Sequence, residues 1–554
     1  MADPLDTVMA YHAASKHRFD GYAPGPRGLD WASRPDPFRR YAGAELLPLM
    51  RCPVDAPLAV GTDPAYDRVF AGPPVAPAAL DGRAIGRLFY DSLALSAWKE
   101  AGPSRWALRV NPSSGNLHPT EGYLVCGPVA GLCAGGMVAH YAPEPHALEV
   151  RRRLDAATWA ALAGDLEPNA VLVGLASIHW REAWKYGMRA FRYCQHDVGH
   201  AIAAVAVAAA GLGWSARILD DLGDEQVAAL LGLPWPPGPA HGETEPEHPD
   251  VIVCLFPDGG PPASGSLRAD GIGAVAAGPW RGTANALSPV HVPWDDMDRV
   301  AEATVKPATP VRNGLAPAPE PPWAAPASPR REAPSLRRLV RRRRSAVDMD
   351  GVTPMPAAAL FATLGRLVHG GPALAAMAWP PAIHLLLFVH RVVGIAPGLY
   401  VLCRDPARGA ALRAGLSHPE FAWERPPGCP DGLDLSLLMA GNATGAARAL
   451  SCHQDIAAQG AFSLGMLAEF ASTLQRDGAW AYRRLFWEAG AIGQLLYLEA
   501  EAWGLAGTGI GCYLDDPVHE LFGITGTAWQ SVYHFTVGGP VPDTRLRTTP
   551  AYPA

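Results

Sequence analysis

The feature that most constrains the fold is an internal repeat. The segment FRYCQHDVGHAIAAVAVAAAGLGWSARILDDLG resembles a later segment, YRRLFWEAGAIGQLLYLEAEAWGLAGTGIGCYLDD. Three pairs of positions share a separation of 291 residues (483 minus 192, for example), namely Arg192 with Arg483, Asp197 with Glu488, and Gly199 with Gly490. Each copy predicts a long apolar helix that ends at Gly-Leu, and then a short helix that begins after Leu-Asp-Asp. This ordered similarity predicts two related domains.

Length and composition agree with two domains. A chain of 554 residues exceeds the roughly 250–300 residues that one hydrophobic core serves. The stretch 259–334 is rich in Pro, Ala and Gly, a composition that builds no core, so it predicts a connector anchored by Trp280, Trp294 and Trp323. The expected division is half one at 1–258, the connector at 259–334 and half two at 335–554.

The expected fold class is α+β. Strands are predicted near the end of each half, at 251–256 and 533–537, whereas helices dominate the rest. Regular βαβ alternation is missing, and no G-x-G-x-x-G follows a strand, which argues against a dinucleotide-binding fold. We expect an intramolecular pseudo-dimer, with helices around a small central sheet in each half.

Charge and cysteine usage exclude several classes of function. A net charge of −7 and a pI near 6.2 give no reason to expect nucleic acid or an anionic membrane as partner. The nine cysteines are scattered without a C-x-x-C pair, which is typical of reduced thiols in a cytoplasmic protein. The N-terminus lacks the layout of a secretion signal, and no apolar run reaches a membrane-spanning length of about 20 residues. His196 and His200 stand at zinc-chelating spacing, but no third ligand is evident, so we expect no metal site.

One candidate site is the loop NPSSGNLHPTE at 111–121. Gly115 permits close approach to a flat ligand, and the side chains of Ser113, Ser114 and Asn116 offer hydrogen bonds. Composition alone fits an ordinary turn equally well.

Two further candidates are basic. Arg343, Arg344 and Ser345 offer guanidinium forks and a hydroxyl that suit a phosphate. Arg545 and Arg547 near the C-terminus could join them. The alternative for both groups is a solvated charged surface.

The fourth candidate is the segment Trp-Lys-Tyr-Gly at 184–187. Lys185 and Tyr186 both titrate near pH ~10 and can be tuned by burial into proton donors or acceptors. Such neighbours are also common on ordinary surfaces.

Taken together, NPSSGNLHPTEGY, WKYGMRAFRY, RRSAVDMDG and YHFTVGGPVPDTRL resemble the FMN-dependent nitroreductase superfamily, specifically its SagB/ThcOx-type dehydrogenases. The resemblance spans nearly the whole chain and implies nitroreductase-like halves with FMN between them. It implies that phosphate and ribityl are held by Arg343, Arg344, Ser345 and Arg545 or Arg547. It also implies that the isoalloxazine lies against Pro112, Ser113, Ser114, Asn116, Gly511 and Cys512.

Each of these motifs occurs once, and the loop and the arginines lie in opposite halves. Half two has AMAWPPAIHLLL where a second Pro-Ser-Ser-Gly-Asn loop would fall, and half one lacks Arg-Arg-Ser. We therefore expect one intact FMN site and one vestigial site per chain. One departure from the family pattern is Val347, which stands where many members have a basic residue.

The resemblance implies hydride transfer from a substrate carbon to flavin N5, with Lys185 or Tyr186 removing a proton and O2 reoxidising the flavin. The substrate would be a small molecule or a modified peptide that carries a thiazoline or oxazoline. Two alternatives remain open: NAD(P)H-driven reduction of nitro, quinone or ene compounds, and a non-catalytic flavin- or peptide-binding scaffold. A fused pseudo-dimer makes a monomer plausible.

Overall fold

The computed structural model describes residues 3–58, 61–70, 74–238, 245–259, 265–311, 334–369 and 371–552. Before residue 312 the helices are α1 (Pro4–Ala14), α2 (Gly82–Tyr90), α3 (Ala156–Ala163), α4 (His179–Tyr186), α5 (Ala190–Gly211), α6 (Asp224–Leu231), α7 (Ala269–Ala276) and α8 (Asp295–Ala303). The strands there are β1 (Tyr41–Ala42), β2 (Glu45–Pro48), β3 (Leu95–Ala101), β4 (Ser104–Arg109), β5 (Thr120–Cys126), β6 (Gly136–Ala142), β7 (Ala147–Leu154), β8 (Val171–Ser177), β9 (Ser215–Ile218), β10 (His248–Phe256) and β11 (Thr283–Ala284).

After residue 333 the chain builds a second set of elements. Its helices are α9 (Leu336–Arg342), α10 (Ala357–His369), α11 (Gly371–Ala375), α12 (Gly409–Gly415), α13 (Thr444–Leu450), α14 (Ile456–Gln459), α15 (Phe470–Asp477), α16 (Ala481–Ala502) and α17 (Asp515–Leu521). Its strands are β12 (Met355–Pro356), β13 (Ile383–Val389), β14 (Val392–Val393), β15 (Gly398–Leu402), β16 (Leu435–Ala440), β17 (Phe462–Glu469), β18 (Ala506–Ile510), β19 (Trp529–Gly538) and β20 (Arg547–Thr549).

The expected connector carries structure of its own where it is described. Helices α7 and α8 lie within it, and α7 packs on α3 of half one. Trp280 and Trp294 are half-buried against the hydrophobic core, as anchoring residues would be. Trp323 lies outside the described residues.

The two main sheets have the same topology, which confirms the predicted α+β class. The strand order is β2-β7-β6-β5-β8-β10-β9 in half one and β16-β15-β13-β17-β19-β18 in half two. Apart from β2, each strand of the first sheet has a counterpart at the same place in the second, and all pairs in both sheets are antiparallel.

The structure has more strands than the sequence predicted, since the two main sheets contain seven and six strands. Strands such as β8 are buried on both faces and read as continuous apolar runs. They therefore lack the period-two alternation by which half-buried strands are recognised in a sequence.

The repeated helices α5 and α16 pack against each other at the centre of the molecule, and nearly all of their residues are buried. Their paired glycines lie where the two backbones cross. A Cβ at Gly199 would be 2.2 Å from the carbonyl oxygen of Trp487, and a Cβ at Gly490 would be 2.2 Å from that of His196. These glycines allow the close approach because any larger residue would collide with backbone.

Buried ion pairs connect the two halves crosswise. Arg189 and Arg192 of half one donate to Asp515 in the Leu-Asp-Asp motif of half two, at 3.0 and 2.7 Å. In return, Arg484 of half two pairs with Asp220 in the Leu-Asp-Asp motif of half one. The repeated motifs thus form the contact between the halves.

We expect Asp515→Asn to lower the free energy of unfolding by about 3–5 kcal/mol, since it leaves two buried arginines without their carboxylate. Burial alone would raise the pKa of Asp515, but Arg189 and Arg192 hold it well below its usual range. The stabilisation is therefore complete above the unfolded pKa of about 3.9 and is lost only as the pH falls through the lower folded pKa. Urea unfolding at pH 5 and pH 7 checks this; equal stability of variant and wild type at both values would contradict it. Asp270→Asn, which breaks an exposed pair, is the matched control and should change little.

Candidate functional site

A cleft of about 640 Å³ lies between the two halves, within the size range of small-molecule and cofactor sites. Half one contributes the 111–118 loop and parts of α4 and α5. Half two contributes the residues after α9, the end of α16, strand β18 and the segment that follows β19. The cleft therefore brings together groups more than two hundred residues apart in the chain.

The loop from half one has a strained backbone. Gly115 and Asn116 have φ values of 59° and 56°, in the left-handed region that favours glycine. A Cβ at Gly115 would lie 2.6 Å from the Tyr186 hydroxyl and 3.0 Å from Lys185 Nζ. These short distances show that the side chains of Lys185 and Tyr186 lie directly against the loop, where glycine leaves room for them.

Hydrogen bonds fix the two serines of the loop. Ser113 Oγ accepts a hydrogen bond from the amide of His118 at 2.8 Å. The amide of Ser114 donates to the buried carboxylate of Asp197 at 3.2 Å. Burial raises the pKa of Asp197 to about 7, against the lowering effect of these serines. Pro112, Ser113, Ser114 and Asn116 all line the cleft.

Half two supplies a glycine-rich edge strand to the cleft. A Cβ at Gly509 would be 1.9 Å from the Tyr533 hydroxyl, and one at Gly511 would be 2.4 Å from the ring of Tyr193. Since both positions are glycine, no side chain covers the backbone of β18 and of the residues after it where this backbone lines the cleft. Gly511 and Cys512 both line the cleft.

Arginines cluster at another part of the cleft wall. Arg342, Arg343, Arg344 and Ser345 line it, and Glu501 is the acidic residue of α16 among them. Arg343 is buried and donates to the carbonyls of Val110 and Arg109, but its Nη1 has no hydrogen-bond partner among the described residues. Burial, helped by Arg343 and Arg341, lowers the pKa of Arg344 to about 9. An anion bound here would offset the repulsion between the arginines and would accept a hydrogen bond from Arg343 Nη1.

Arg545 and Arg547 do not line this cleft. Both are exposed; Arg545 pairs with Asp543 at 2.7 Å, and Arg547 on β20 pairs with Glu100 at 3.0 Å. The C-terminal segment reaches the cleft instead through its residues 540–543 and Leu546.

Lys185 and Tyr186 are half-buried, and burial moves their pKa values in opposite directions. It lowers the pKa of Lys185, partly offset by Glu182, and it raises the pKa of Tyr186 well above its usual value. Lys185 Nζ lies 5.2 Å from the centre of the Tyr186 ring. Of the two, Lys185 is the group whose deprotonated form is more accessible near neutral pH, because burial lowers its pKa and raises that of Tyr186.

Sequence reasoning missed several groups around this pair. Glu182 is fully buried one helical turn before Tyr186, and burial raises its pKa. Asp197, Tyr497 and Tyr533 also line the cleft. The spacing of Glu182 before Lys185 was a usable signal, because residues three and four apart share a helix face. No sequence pattern indicated that Tyr497 and Tyr533 would line the cleft.

The described residues offer no group of three metal-binding side chains. His196 and His200, at zinc-chelating spacing in the sequence, instead bond the Val532 carbonyl and the Tyr533 hydroxyl through Nε2. Among the described helices, none is long and apolar enough to cross a membrane.

The counterpart of the cleft on the opposite side is filled. There the edge strand β9 bonds directly to half two, from the Ile218 amide to the Ala376 carbonyl at 2.8 Å. Trp379 is buried beside it, with the Arg484 guanidinium 4.6 Å from its ring centre. The AMAWPP segment thus occupies the space beside β9 with its own side chains.

The similarity to a known protein family lies in the segment from β16 to β19. This segment contains the long helix α16 and the glycine-rich strand β18. Residues 432–539 match the Nitroreductase family. The matched segment belongs to half two and provides part of the cleft wall. No curated protein matches the chain.

Solved structures extend the likeness to the whole fold. A protein from Anabaena variabilis ATCC 29413, assigned to the nitroreductases, is 18% identical and has a TM-score of 0.67, with 97% of this chain and 99% of that chain covered. Two others overlap less. One is an E. coli microcin synthetase McbBCD complex with truncated pro-MccB17 bound (17% identity, 46% of this chain and 92% of that chain, TM-score 0.27), and the other is a Ralstonia eutropha JMP134 protein (16% identity, 36% of this chain and 80% of that chain, TM-score 0.25). The first comparison shows that the nitroreductase-like fold extends over both halves.

Proposed function

We propose that this chain binds one FMN in the cleft and acts as a SagB/ThcOx-like dehydrogenase on an azoline-type ring of a modified peptide or a related substrate. The observation that carries the proposal is one cleft that combines an arginine-lined wall, a bare glycine backbone and Tyr186, with Lys185 next to Tyr186 against the Gly115 turn of the cleft loop. These are an anion site, a surface for a flat ring and a proton acceptor.

The residues present fit FMN. Arg343 Nη1 and Asn111 Oδ1 are buried polar atoms that find no partner in the part of the chain that the structure describes, and both residues line the cleft. A phosphate would satisfy the first, and a ring amide or ribityl hydroxyl would satisfy the second. Arg343, Arg344 and Ser345 would hold the phosphate, and the 112–116 loop with Gly511 and Cys512 would face the ring.

When bound, FMN supplies a hydride acceptor at N5. Removal of a proton from the adjacent substrate atom then falls to Lys185 Nζ, because burial disfavours its charged form. The Tyr186 ring lies beside the amine and packs edge-on against Tyr193 at 4.7 Å, which limits the positions that the amine can take. Asp197 holds the loop in place through Ser114.

We expect Arg344→Ala to weaken FMN binding by about tenfold to a hundredfold, since a charge-assisted hydrogen bond is worth about 1.5–3 kcal/mol. Arg547→Ala, at an exposed arginine paired with Glu100, is the matched control and should leave the affinity within about twofold. Titration of flavin-free protein with FMN, followed by flavin fluorescence, measures both. A larger loss for Arg547→Ala than for Arg344→Ala would move the phosphate site to the C-terminal arginines.

The source of electrons tests the reaction. Flavin-loaded protein is mixed without oxygen either with an azoline-containing peptide or with NADPH, and the visible flavin band is followed. Bleaching by the peptide alone supports the dehydrogenase. Bleaching by NADPH alone would make the chain a nitro, quinone or ene reductase, and bleaching by neither would favour a binding scaffold.

A further inference from the structure

Two cysteines from distant segments meet beside the cleft. Cys452, which follows α13, lies beside Cys512, which follows β18, close enough for each thiol to shift the pKa of the other. Two contacts hold the segments together: the Leu514 amide donates to the Leu450 carbonyl at 2.8 Å, and Gln454 Nε2 donates to the Cys512 carbonyl at 3.0 Å. The juxtaposition of the sulfurs is therefore built into the backbone pairing.

The backbone at the first of these cysteines is unusual. Cys452 and His453 have φ values of 52° and 60°, and such a conformation is uncommon for residues other than glycine. Strain of this kind persists only where surrounding contacts impose it, and it often marks a functional position. Here it accompanies the turn that brings the Cys452 sulfur to Cys512.

The surroundings give the two thiols different character. His17 lies near Cys512, since its backbone bridges to that of Leu514. The Ala23 amide donates to Nδ1 of the His17 ring at 2.9 Å, so Nε2 of the neutral ring carries the hydrogen. The neighbouring Cys452, followed by His17, lowers the pKa of Cys512, whereas Cys512 raises the pKa of Cys452. Cys512 lines the cleft and Cys452 is not among its lining residues, so Cys512 is the nucleophile and Cys452 is its partner.

Access separates this pair from the other thiols. Cys452 and Cys512 are half-exposed, and the remaining seven cysteines are buried. Cys512 lines the cleft directly after Gly511. A second pair of neighbouring thiols, Cys126 and Cys133, also shift each other's pKa, but both are buried in half one. It provides an internal comparison that differs in exposure.

We propose that Cys512 and Cys452 form a redox-active thiol pair that reduces hydroperoxides at the cleft and closes to a reversible disulfide. The Cys512 thiolate attacks one oxygen of hydrogen peroxide, the O–O bond breaks, and hydroxide leaves to give a sulfenic acid at Cys512. The Cys452 sulfur then attacks the Cys512 sulfur, an S–S bond forms, and the hydroxyl leaves as water with the Cys452 proton. In total, two thiols lose two electrons and two protons, and one peroxide becomes two waters. An added dithiol reverses the bond by exchange.

The pair matters most if the proposed function holds, because reoxidation of a bound flavin by O2 would release hydrogen peroxide in this same cleft. The thiol chemistry itself belongs to the chain and needs no flavin. Failure of the flavin proposal would therefore leave the test with added hydrogen peroxide unaffected.

The full-length protein is treated with equimolar hydrogen peroxide, its free thiols are alkylated, and its peptides are mapped by mass spectrometry without reduction. We expect a cross-linked peptide that joins Cys452 to Cys512, is two hydrogen atoms lighter than the reduced pair and is lost on treatment with dithiothreitol. Cys126 and Cys133 should stay reduced. No cross-link, a cross-link between other cysteines, or faster oxidation of the buried pair would overturn the proposal.

Two variants separate the roles. Cys452→Ser should stop at the sulfenic acid, so that dimedone labels Cys512 and no cross-link forms. Cys512→Ser should abolish both the cross-link and dimedone labelling of Cys452. Equal labelling of the remaining cysteine in both variants would contradict the assignment of nucleophile and partner. Circular dichroism of each variant checks that it has folded.

Discussion

Replacing Lys185 with methionine is expected to lower turnover by about 10²–10⁴-fold, the usual contribution of a general base, while the amount of bound FMN stays the same. This loss is expected because Lys185 lies against the cleft loop and because burial disfavours its charged form. Lys185 Nζ lies 3.0 Å from where a Cβ of Gly115 would be, and burial lowers its pKa. Methionine keeps the unbranched stem but removes the proton acceptor.

Lys185→Arg separates proton transfer from electrostatics. Arginine keeps the positive charge and a similar length, but it does not lose its proton in proteins. We expect this variant to be as inactive as Lys185→Met. Substantial activity in Lys185→Arg would show that the charge of residue 185, and not its neutral amine, serves the reaction.

The pH profile of the wild type provides a second readout. The neutral amine is the active form, so kcat/KM should rise with pH and level off below the ordinary lysine pKa of about 10.4, because burial shifts this group downward. Tyr186→Phe should keep the same rising limb. Loss of the limb in Tyr186→Phe and its retention in Lys185→Met would exchange the two roles.

Replacing Gly199 with alanine should lower the free energy of unfolding by about 3 kcal/mol or more, at the upper end of what overpacking costs. The added Cβ would lie 2.2 Å from the carbonyl oxygen of Trp487 and 2.8 Å from two further backbone atoms of that residue. Backbone inside a buried helix cannot move aside as a flexible side chain can. Since α5 and α16 both lead into the cleft, FMN affinity should fall as well.

Gly273→Ala on α7 is the matched control for this substitution. A Cβ there meets nothing within 4 Å, so the change should leave stability unaltered or raise it by up to about 1 kcal/mol through helix propensity. Denaturant unfolding of both variants measures the difference. Equal stability of Gly199→Ala and Gly273→Ala would mean that α5 and α16 do not cross at the repeated glycines.

Much of the fold could be predicted because residues that are repeated in the sequence are also residues through which the two halves contact each other. Arg192, Gly199 and Gly490 stand out in the sequence and then meet at the contact between the halves. Most strands of the two sheets could not be predicted, since a strand buried on both faces carries no alternation. The two predicted strands overlap β10 and β19.

The candidate site was predictable in part, and through family resemblance more than through spacing. Ser113 and Arg343 are 230 positions apart (343 minus 113), and only the pairing of two homologous halves brings them to one cleft. The exposed positions of Arg545 and Arg547 follow from a local turn, in which Asp543 captures the first of them. The contact between Cys452 and Cys512 depends on tertiary pairing that no local pattern indicates.

The measurement that tests the central claim most directly is the flavin content of the purified protein, read from its visible spectrum and from FMN released on denaturation. One FMN per chain is expected, because one cleft combines the required groups while its counterpart is filled by Ala376 and Trp379. Two FMN per chain would show that the counterpart site is also functional. No flavin, even after incubation with excess FMN, would contradict the proposal that this chain is a flavin-dependent enzyme.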